Sequence, residues 1–400
     1  MMQSAPSSLL RPESSRAGRT DYWLLALVGA LVVVGLQAVY SASFAIGLAE
    51  FGDGTYFVAR QAMWAVVGLV AMLVCMRIDY RRWRRISPLL FLLALVALGL
   101  VLLPGAGVSQ YGAQRWLRLG PLPALQPSEF VKLAFVLYLA AWLASRPERA
   151  KSLSNGFIPF GIITGLVLGP IMLQPDLGTA LIISLTAVTL LFLAGADLRY
   201  FTLMLGGGLA LGVLLIGIEG YRLSRWYAFV DPWADPAGKG FQIIQLLIAL
   251  GSGGLTGLGI GASRQKFFWV PGSHTDGIFA IIGEELGFIG AVLVIALYVG
   301  LAYRGFRIAS QAQDHFGRLL ALGIVCWIAF QALVNLGGIT RSVPLAGVPL
   351  PLISYGGSSL AAIMAALGIL LNISRQTRED LAAPGPLSSA GRAEVGPGGG

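Results

Sequence analysis

Ten runs of roughly twenty apolar residues, separated by short polar segments, constrain this chain more than any other feature. They fall at Tyr22–Tyr40 and near 61–76, 87–104, 127–145, 157–173, 178–195, 200–218, 277–303, 319–338 and 356–374. A helix needs about 20 residues to cross the hydrocarbon core, and a chain in lipid must satisfy its backbone polar groups internally. The pattern therefore predicts an all-α polytopic integral membrane protein with ten transmembrane helices over residues 21–374. Only 12% of the residues are charged, against about 25% in soluble domains, which excludes a soluble fold. Residues 1–20 and 375–400 lack periodicity and read as disordered cytoplasmic tails.

Orientation follows from Lys and Arg. With ten spans both termini share one side, and that side collects 18 basic residues against nine on the other. Cytoplasmic segments carry the excess, so both termini are expected in the cytoplasm. The basic run Arg81-Arg82-Trp83-Arg84-Arg85 then serves as a topology anchor. This distribution, rather than one basic surface, speaks against a nucleic-acid partner despite a net charge of +9. Cys75 and Cys326 lie inside apolar runs and read as packing residues, and His274 and His315 are too few for a histidine metal site.

The outer face then holds the connections 41–60, 105–126, 174–177, 219–276 and 339–355. The connection 219–276, between the seventh and eighth spans, is too long for a simple connector. Its apolar piece Phe241–Leu250 is expected to lie back against the membrane. The glycine-rich stretch Gly251–Gly261 has no Gly-Lys-Ser/Thr ending, so a nucleotide loop is disfavoured and a hinge or close-packed re-entrant backbone is expected.

Charged residues near the spans are the candidates for chemistry, because a charge in lipid is costly. Ser128 reads as an N-cap of the fourth span; Glu129 and Lys132 share a helix face and form either a structural ion pair or one wall of a cavity. Asp176, in Gln174-Pro175-Asp176-Leu177-Gly178-Thr179, either caps the sixth span or stands at a cavity mouth. Arg115, Arg118, Arg222 and Arg225 are placed to meet an anion or are solvated loop charges. Asp276 reads structurally as an N-cap of the span starting at Gly277, where nearby cations would depress its pKa. Glu284 lies eight residues on, roughly 12 Å along a helix, too far for a close carboxylate pair. Arg264 and Lys266 are expected to bear on headgroups or on family identity rather than on the chemical step.

These segments together resemble the SEDS family of bacterial shape, elongation, division and sporulation proteins. The motifs are Gln114-Arg115-Trp116, Gln126-Pro127-Ser128-Glu129, the Gln174–Thr179 segment, His274-Thr275-Asp276, Gly283-Glu284-Glu285-Leu286-Gly287 and Pro349–Ser359. Arg264–Phe268 and Gly283–Gly290 side with the division branch of the family, while Gly277 departs from its usual phenylalanine. The resemblance implies a peptidoglycan glycosyltransferase that polymerises lipid II at the outer face of the cytoplasmic membrane. It places the catalytic aspartate at Asp276 and further sensitive positions at Glu129, Lys132 and Asp176. It also implies a class B penicillin-binding protein (transpeptidase) as partner, together with other division proteins.

An α-linked diphosphate donor giving a β-linked glycan requires inversion, hence one base and positive charge on the leaving group. Asp276 can supply the first. Arg115, Arg222, Arg225 or Lys132, with or without a divalent cation such as Mg or Mn, can supply the second. The rival readings are a lipid II flippase, an elongation-type polymerase and a scaffold that only recruits a transpeptidase.

Overall fold

The structure is a computed structural model and describes residues 20–376 apart from 104–106, 111–112, 119–123 and 219. The two predicted tails lie outside the described residues except for residues 20, 375 and 376.

Twelve helices account for most of the described chain: α1 (Tyr22–Phe51), α2 (Tyr56–Arg77), α3 (Tyr80–Leu102), α4 (Pro127–Ser145), α5 (Ile158–Leu173), α6 (Leu177–Leu193), α7 (Leu198–Ile218), α8 (Gly220–Val230), α9 (Phe241–Ser252), α10 (Ile278–Gln311), α11 (His315–Ile339) and α12 (Gly357–Ser374). Among the described residues, eight are long and apolar enough to cross a membrane: α1 to α4, α5 with the turn before it, and α10 to α12. The chain is a multi-pass membrane protein. α6, of 17 residues, and α7 occupy the other two predicted runs. The all-α expectation needs one amendment, an antiparallel hairpin of β1 (Gly107–Gln110) and β2 (Ala113–Leu117) between α3 and α4. Leu117 and Leu125 exchange backbone hydrogen bonds of 2.8 and 2.9 Å, which folds this connection back toward α4.

Polar residues set the helix starts. Asp21 caps α1 by accepting from Leu24 N at 2.9 Å, and Asp314 caps α11 by accepting from Gly317 N at 2.9 Å. For α4 the N-cap is Gln126 with Pro127 at the first helical position, so the cap expected at Ser128 lies two residues earlier. Pro127 lacks the donor that a cap would satisfy.

α11 and α12 form the centre: 89% of the α12 span is buried, against 22% of α2. Lipid offers no hydrophobic drive between helices, so small residues that allow close approach set the packing. Gly368 of α12 lies against the Met72 carbonyl of α2, and Gly68 of α2 against Met364 of α12; a Cβ at Gly368 would collide with that carbonyl.

The connection 219–276 holds α8 and α9, and beyond α9 it re-enters against α10, as the glycine-rich stretch predicts. At Gly287 (φ 67°, ψ −167°) α10 is broken. The loop satisfies the backbone groups around the break: Phe288 N donates to Gly254 O at 2.9 Å, and Leu258 N and Gly259 N donate to Glu284 O and Glu285 O, both at 3.0 Å. One expectation fails here. Lys266 does not meet headgroups but is buried, with its ammonium 3.0 Å from Glu285. Its acidic partner is 19 residues away, so only the folded-back loop brings the two charges together.

Candidate active site

A cavity of about 930 Å³ collects side chains from α2, β2, α4, α6, α8, α9, the loop before α10 and the segment before α12. Its ionisable lining is five basic residues, Arg60, Arg115, Arg118, Lys132 and Arg225, and three acidic ones, Glu129, Asp176 and Asp276, beside His274, Tyr56 and Tyr355. Six of the seven expected site residues therefore face one space. The side chain of the seventh, Arg222, lies outside the described residues.

Asp276 sits on a turn tied down from several sides. Thr275 N and Gly277 N both donate to Gly272 O, at 2.9 and 3.0 Å. Asn335 of α11 donates through Nδ2 to Asp276 O at 2.9 Å and to Val348 O at 2.8 Å. Ser354 Oγ donates to Thr275 O at 2.5 Å, and Tyr355 N to His274 O at 2.9 Å. The N-cap of α10 is Gly277, so the capping role expected of Asp276 is not observed. Its carboxylate instead accepts from Thr275 Oγ1 at 3.1 Å and faces the cavity. The expected depression of its pKa is also reversed. Burial raises it above the ordinary carboxylate value, outweighing the opposite pull of Thr275, Arg225 and Gln242.

Gly272 makes this turn possible. Its φ of +68° is left-handed, and a Cβ there would collide with Asp276 Oδ1. Gly272→Ala is expected to cost about 1–2 kcal/mol in backbone strain and to displace the carboxylate. Melting temperature reads the first effect and turnover the second; unchanged turnover would mean that the carboxylate position is not critical.

Across the cavity, Lys132 donates to Glu129 Oε1 at 2.9 Å and to Gln331 Oε1 at 2.8 Å, both partners being buried. Trp327 Nε1 shares Gln331 Oε1 at 3.1 Å, and Gln331 Nε2 donates to Pro349 O at 3.0 Å. The Glu129–Lys132 pair is thus both a structural tie from α4 to α11 and part of the cavity wall. Asp176 likewise has both expected roles: it caps α6, accepting from Thr179 N at 3.2 Å and Thr179 Oγ1 at 2.9 Å, and it lines the cavity. Arg115 donates to Gln174 O at 3.0 Å and to Pro175 O, which fixes the α5–α6 turn beside Asp176. Arg225 donates to Leu345 O at 3.0 Å, and Gly347 lies against both its guanidinium and the Asp276 carboxylate.

The sequence reading missed several lining residues. Arg60 stacks on Tyr56 with 4.2 Å between its guanidinium carbon and the ring centroid. His274 packs between Phe57 and Tyr355, at 4.7 and 5.6 Å between ring centroids, and burial pushes its pKa down to about 4. Gln331 and Asn335, which hold lining residues in place without lining the cavity themselves, carried a legible signal: two amides four residues apart inside an apolar span, hence on one helix face. Arg60 carried only its place on the outer side. As for the expected divalent cation, no three His, Cys, Asp or Glu side chains converge among the described residues.

A membrane bundle enclosing a charge-lined cavity with a half-buried carboxylate defines the broad class, an integral membrane protein equipped to act on a polar or anionic group. The comparisons carry this further. The family model described as cell cycle protein, covering FtsW, RodA and SpoVE, matches residues 22–379. A probable peptidoglycan glycosyltransferase FtsW of Trichlorobacter lovleyi is 45% identical over 362 residues, 90% of this chain and 94% of that protein. Stage V sporulation protein E of Bacillus subtilis is 43% identical, over 90% of this chain and 98% of that protein. A solved structure described as structural coordination of polymerization and crosslinking by a peptidoglycan synthase complex aligns with TM-score 0.72 and 32% identity, covering 89% of this chain and 98% of the other. The rod shape determining protein RodA of Thermus thermophilus aligns with TM-score 0.67 and 30% identity, over 90% and 98% of the two chains. The chain belongs to the FtsW/RodA/SpoVE family, the SEDS family of the sequence motifs.

Proposed function

We propose that this chain is a peptidoglycan glycosyltransferase that polymerises lipid II into glycan strands for the division septum. The observation that carries the reading is one half-buried carboxylate with a raised pKa, Asp276, facing a cavity with five cationic side chains. The higher identity to proteins named FtsW and SpoVE, 43–45%, than to RodA, 30%, supports the division or sporulation side over elongation. Ten spans with both termini in the cytoplasm put the connection 219–276 and the cavity mouth on the outer face, where a lipid-linked disaccharide is presented.

The step is a single displacement. The acceptor hydroxyl oxygen bonds to the anomeric carbon, the bond from that carbon to the diphosphate oxygen breaks with its electron pair, and the hydroxyl proton passes to Asp276. Burial makes Asp276 a stronger base than an exposed carboxylate. Arg225, beside it, and Arg115, Arg118 and Arg60 on the walls meet the negative charge that develops on the departing undecaprenyl diphosphate. Glu129, Lys132 and Asp176 shape the wall on which the sugars rest. No step is routed through a divalent cation. A class B penicillin-binding protein and further division proteins are the partners this reading assigns, supported by the synthase-complex neighbour.

The test is polymerisation of purified lipid II by the reconstituted chain, with and without a class B penicillin-binding protein. Lipid II translocation without glycan in either condition would replace this reading by the flippase. Removing both Arg222 and Arg225 is expected to raise the apparent KM about tenfold or more, the scale of one or two charge-assisted hydrogen bonds. Unchanged KM and kcat would make them solvated surface charges.

A further inference from the structure

The buried polar cluster behind the cavity is not used by that mechanism. Glu284 accepts from Ser263 Oγ at 2.5 Å, Arg264 N at 3.0 Å and Gln265 N at 3.3 Å. Glu285 Oε1 accepts from Lys266 Nζ at 3.0 Å, Ser41 Oγ of α1 at 2.5 Å and Ser263 N at 3.4 Å. Lys266 Nζ also donates to Gly261 O at 2.6 Å and Ser41 Oγ at 3.1 Å. Glu284, Glu285, Lys266 and Ser263 are each at most 4% exposed, and none of them lines the cavity.

Such a pair is a poor way to gain stability. Desolvating two charges costs about as much as their attraction returns, and well-packed apolar residues often do as well. What a buried pair can supply is register. The loop 251–261 is rich in glycine and apolar residues, and its contacts with α10 are backbone hydrogen bonds that a slid loop could also make. In the observed alignment Lys266 is neutralised by Glu285, while Glu284 beside it is taken up by Ser263 Oγ and the amides of Arg264 and Gln265. That alignment passes directly to the cavity: Val270 N donates to Gln265 O at 3.0 Å, and Ser273 Oγ to Ala42 O of α1 at 3.1 Å. Ser41 and Ala42, adjacent on α1, thus hold both ends of the stretch 266–273, and Asp276 follows three residues later.

We propose that Lys266, Glu285 and Ser41 are positioning residues for Asp276, the buried pair fixing the register of the loop that carries it. The inference rests on the glycosyltransferase reading for its kinetic consequences but not for its geometry. Removing both charges, Lys266→Met with Glu285→Met, avoids stranding one of them. The expected result is a folded chain with KM within about threefold of the parent and kcat lowered about 10- to 100-fold, the scale of a carboxylate misplaced by about 1 Å. Its acid limb should move to lower pH, since a displaced carboxylate exposes more of itself to the cavity. The groups facing that carboxylate, Arg225 from α8, Gln242 from α9 and Thr275 on its own loop, are untouched by the change. Ser41→Ala, which cuts only the tie to α1, should shift kcat and the acid limb in the same direction by less. The swapped pair, Lys266→Glu with Glu285→Lys, should recover part of the loss.

A readout without activity separates the two readings. Spin labels at Trp269→Cys and Leu333→Cys, both exposed, with Cys75 and Cys326 replaced by alanine, should give one narrow distance in the parent chain and a broad distribution in the Met/Met variant. A narrow, unchanged distance with unchanged kcat and acid limb overturns the positioning role. If Met/Met does not fold, Ser41→Ala decides by the same two measurements. A narrow parent distance that broadens in the variant, in a chain that makes no glycan from lipid II, sinks the glycosyltransferase reading and leaves the register role standing.

Discussion

Asp276→Asn is expected to lower lipid II polymerisation by about 10²–10⁴-fold, the usual share of a general base, while the chain still folds and binds its partner. Asparagine keeps the size of the side chain and can still accept from Thr275 Oγ1, so the turn from Gly272 to Gly277 is retained. What disappears is the capacity to take a proton. The pH profile of the parent chain carries the matching signature. The base must be ionised, and burial raises its pKa, so the rate should fall on acidification through a value above about 3.9, the ordinary aspartate. Among the neighbours, Arg225 keeps its charge and opposes the shift, and His274, held at about 4, stays neutral at higher pH. Full polymerase activity in the Asn variant, or an acid limb at or below the ordinary value, would remove Asp276 from the role of base.

The second large effect is on stability. Lys132→Met should destabilise the bundle by about 3–5 kcal/mol, the cost of leaving one member of a buried pair without its counter-charge. Glu129 would then be a buried carboxylate without its cation, and Gln331 Oε1 would keep only the Trp327 donor. Adding Glu129→Gln should restore most of the loss, because the double change removes both charges. Thermal melting in detergent reads both variants. Equal melting temperatures for parent and Lys132→Met would mean that the pair is hydrated and does not tie α4 to α11. The double variant also separates structure from function: restored melting without restored polymerisation assigns the pair to the substrate wall.

The legible part of the site was the part that breaks a local rule. A carboxylate or an ammonium in an apolar run is visible because lipid penalises it, and Glu129, Lys132, Asp176 and Asp276 were all found this way. The arginines of the outer connections were visible by type but not by aim. Arg115 spends hydrogen bonds on the Gln174 and Pro175 carbonyls, and Arg60 stacks on an aromatic ring, and neither contact has a sequence signal. Two of the failed expectations share a cause: the capping role and depressed pKa of Asp276, and the headgroup role of Lys266, are read from their own stretches, which carry no sign of what the loop packs against. The loop is folded back into the bundle.

The sequence by itself determined the membrane class, the apolar runs, the start set by Asp176, and the identity of the charged residues that lipid would not tolerate idle. These follow from local composition and from the cost of an unsatisfied polar group in hydrocarbon. Only the tertiary structure decided which of those charges share a cavity, which neutralise one another, and whether Asp276 is wet or dry. Those properties depend on residues far apart in the chain: Asp276 with Asn335, Lys266 with Ser41, Lys132 with Gln331. Desolvation and pairing belong to the assembled surroundings, and the pKa of Asp276 is set there rather than in its own stretch of sequence.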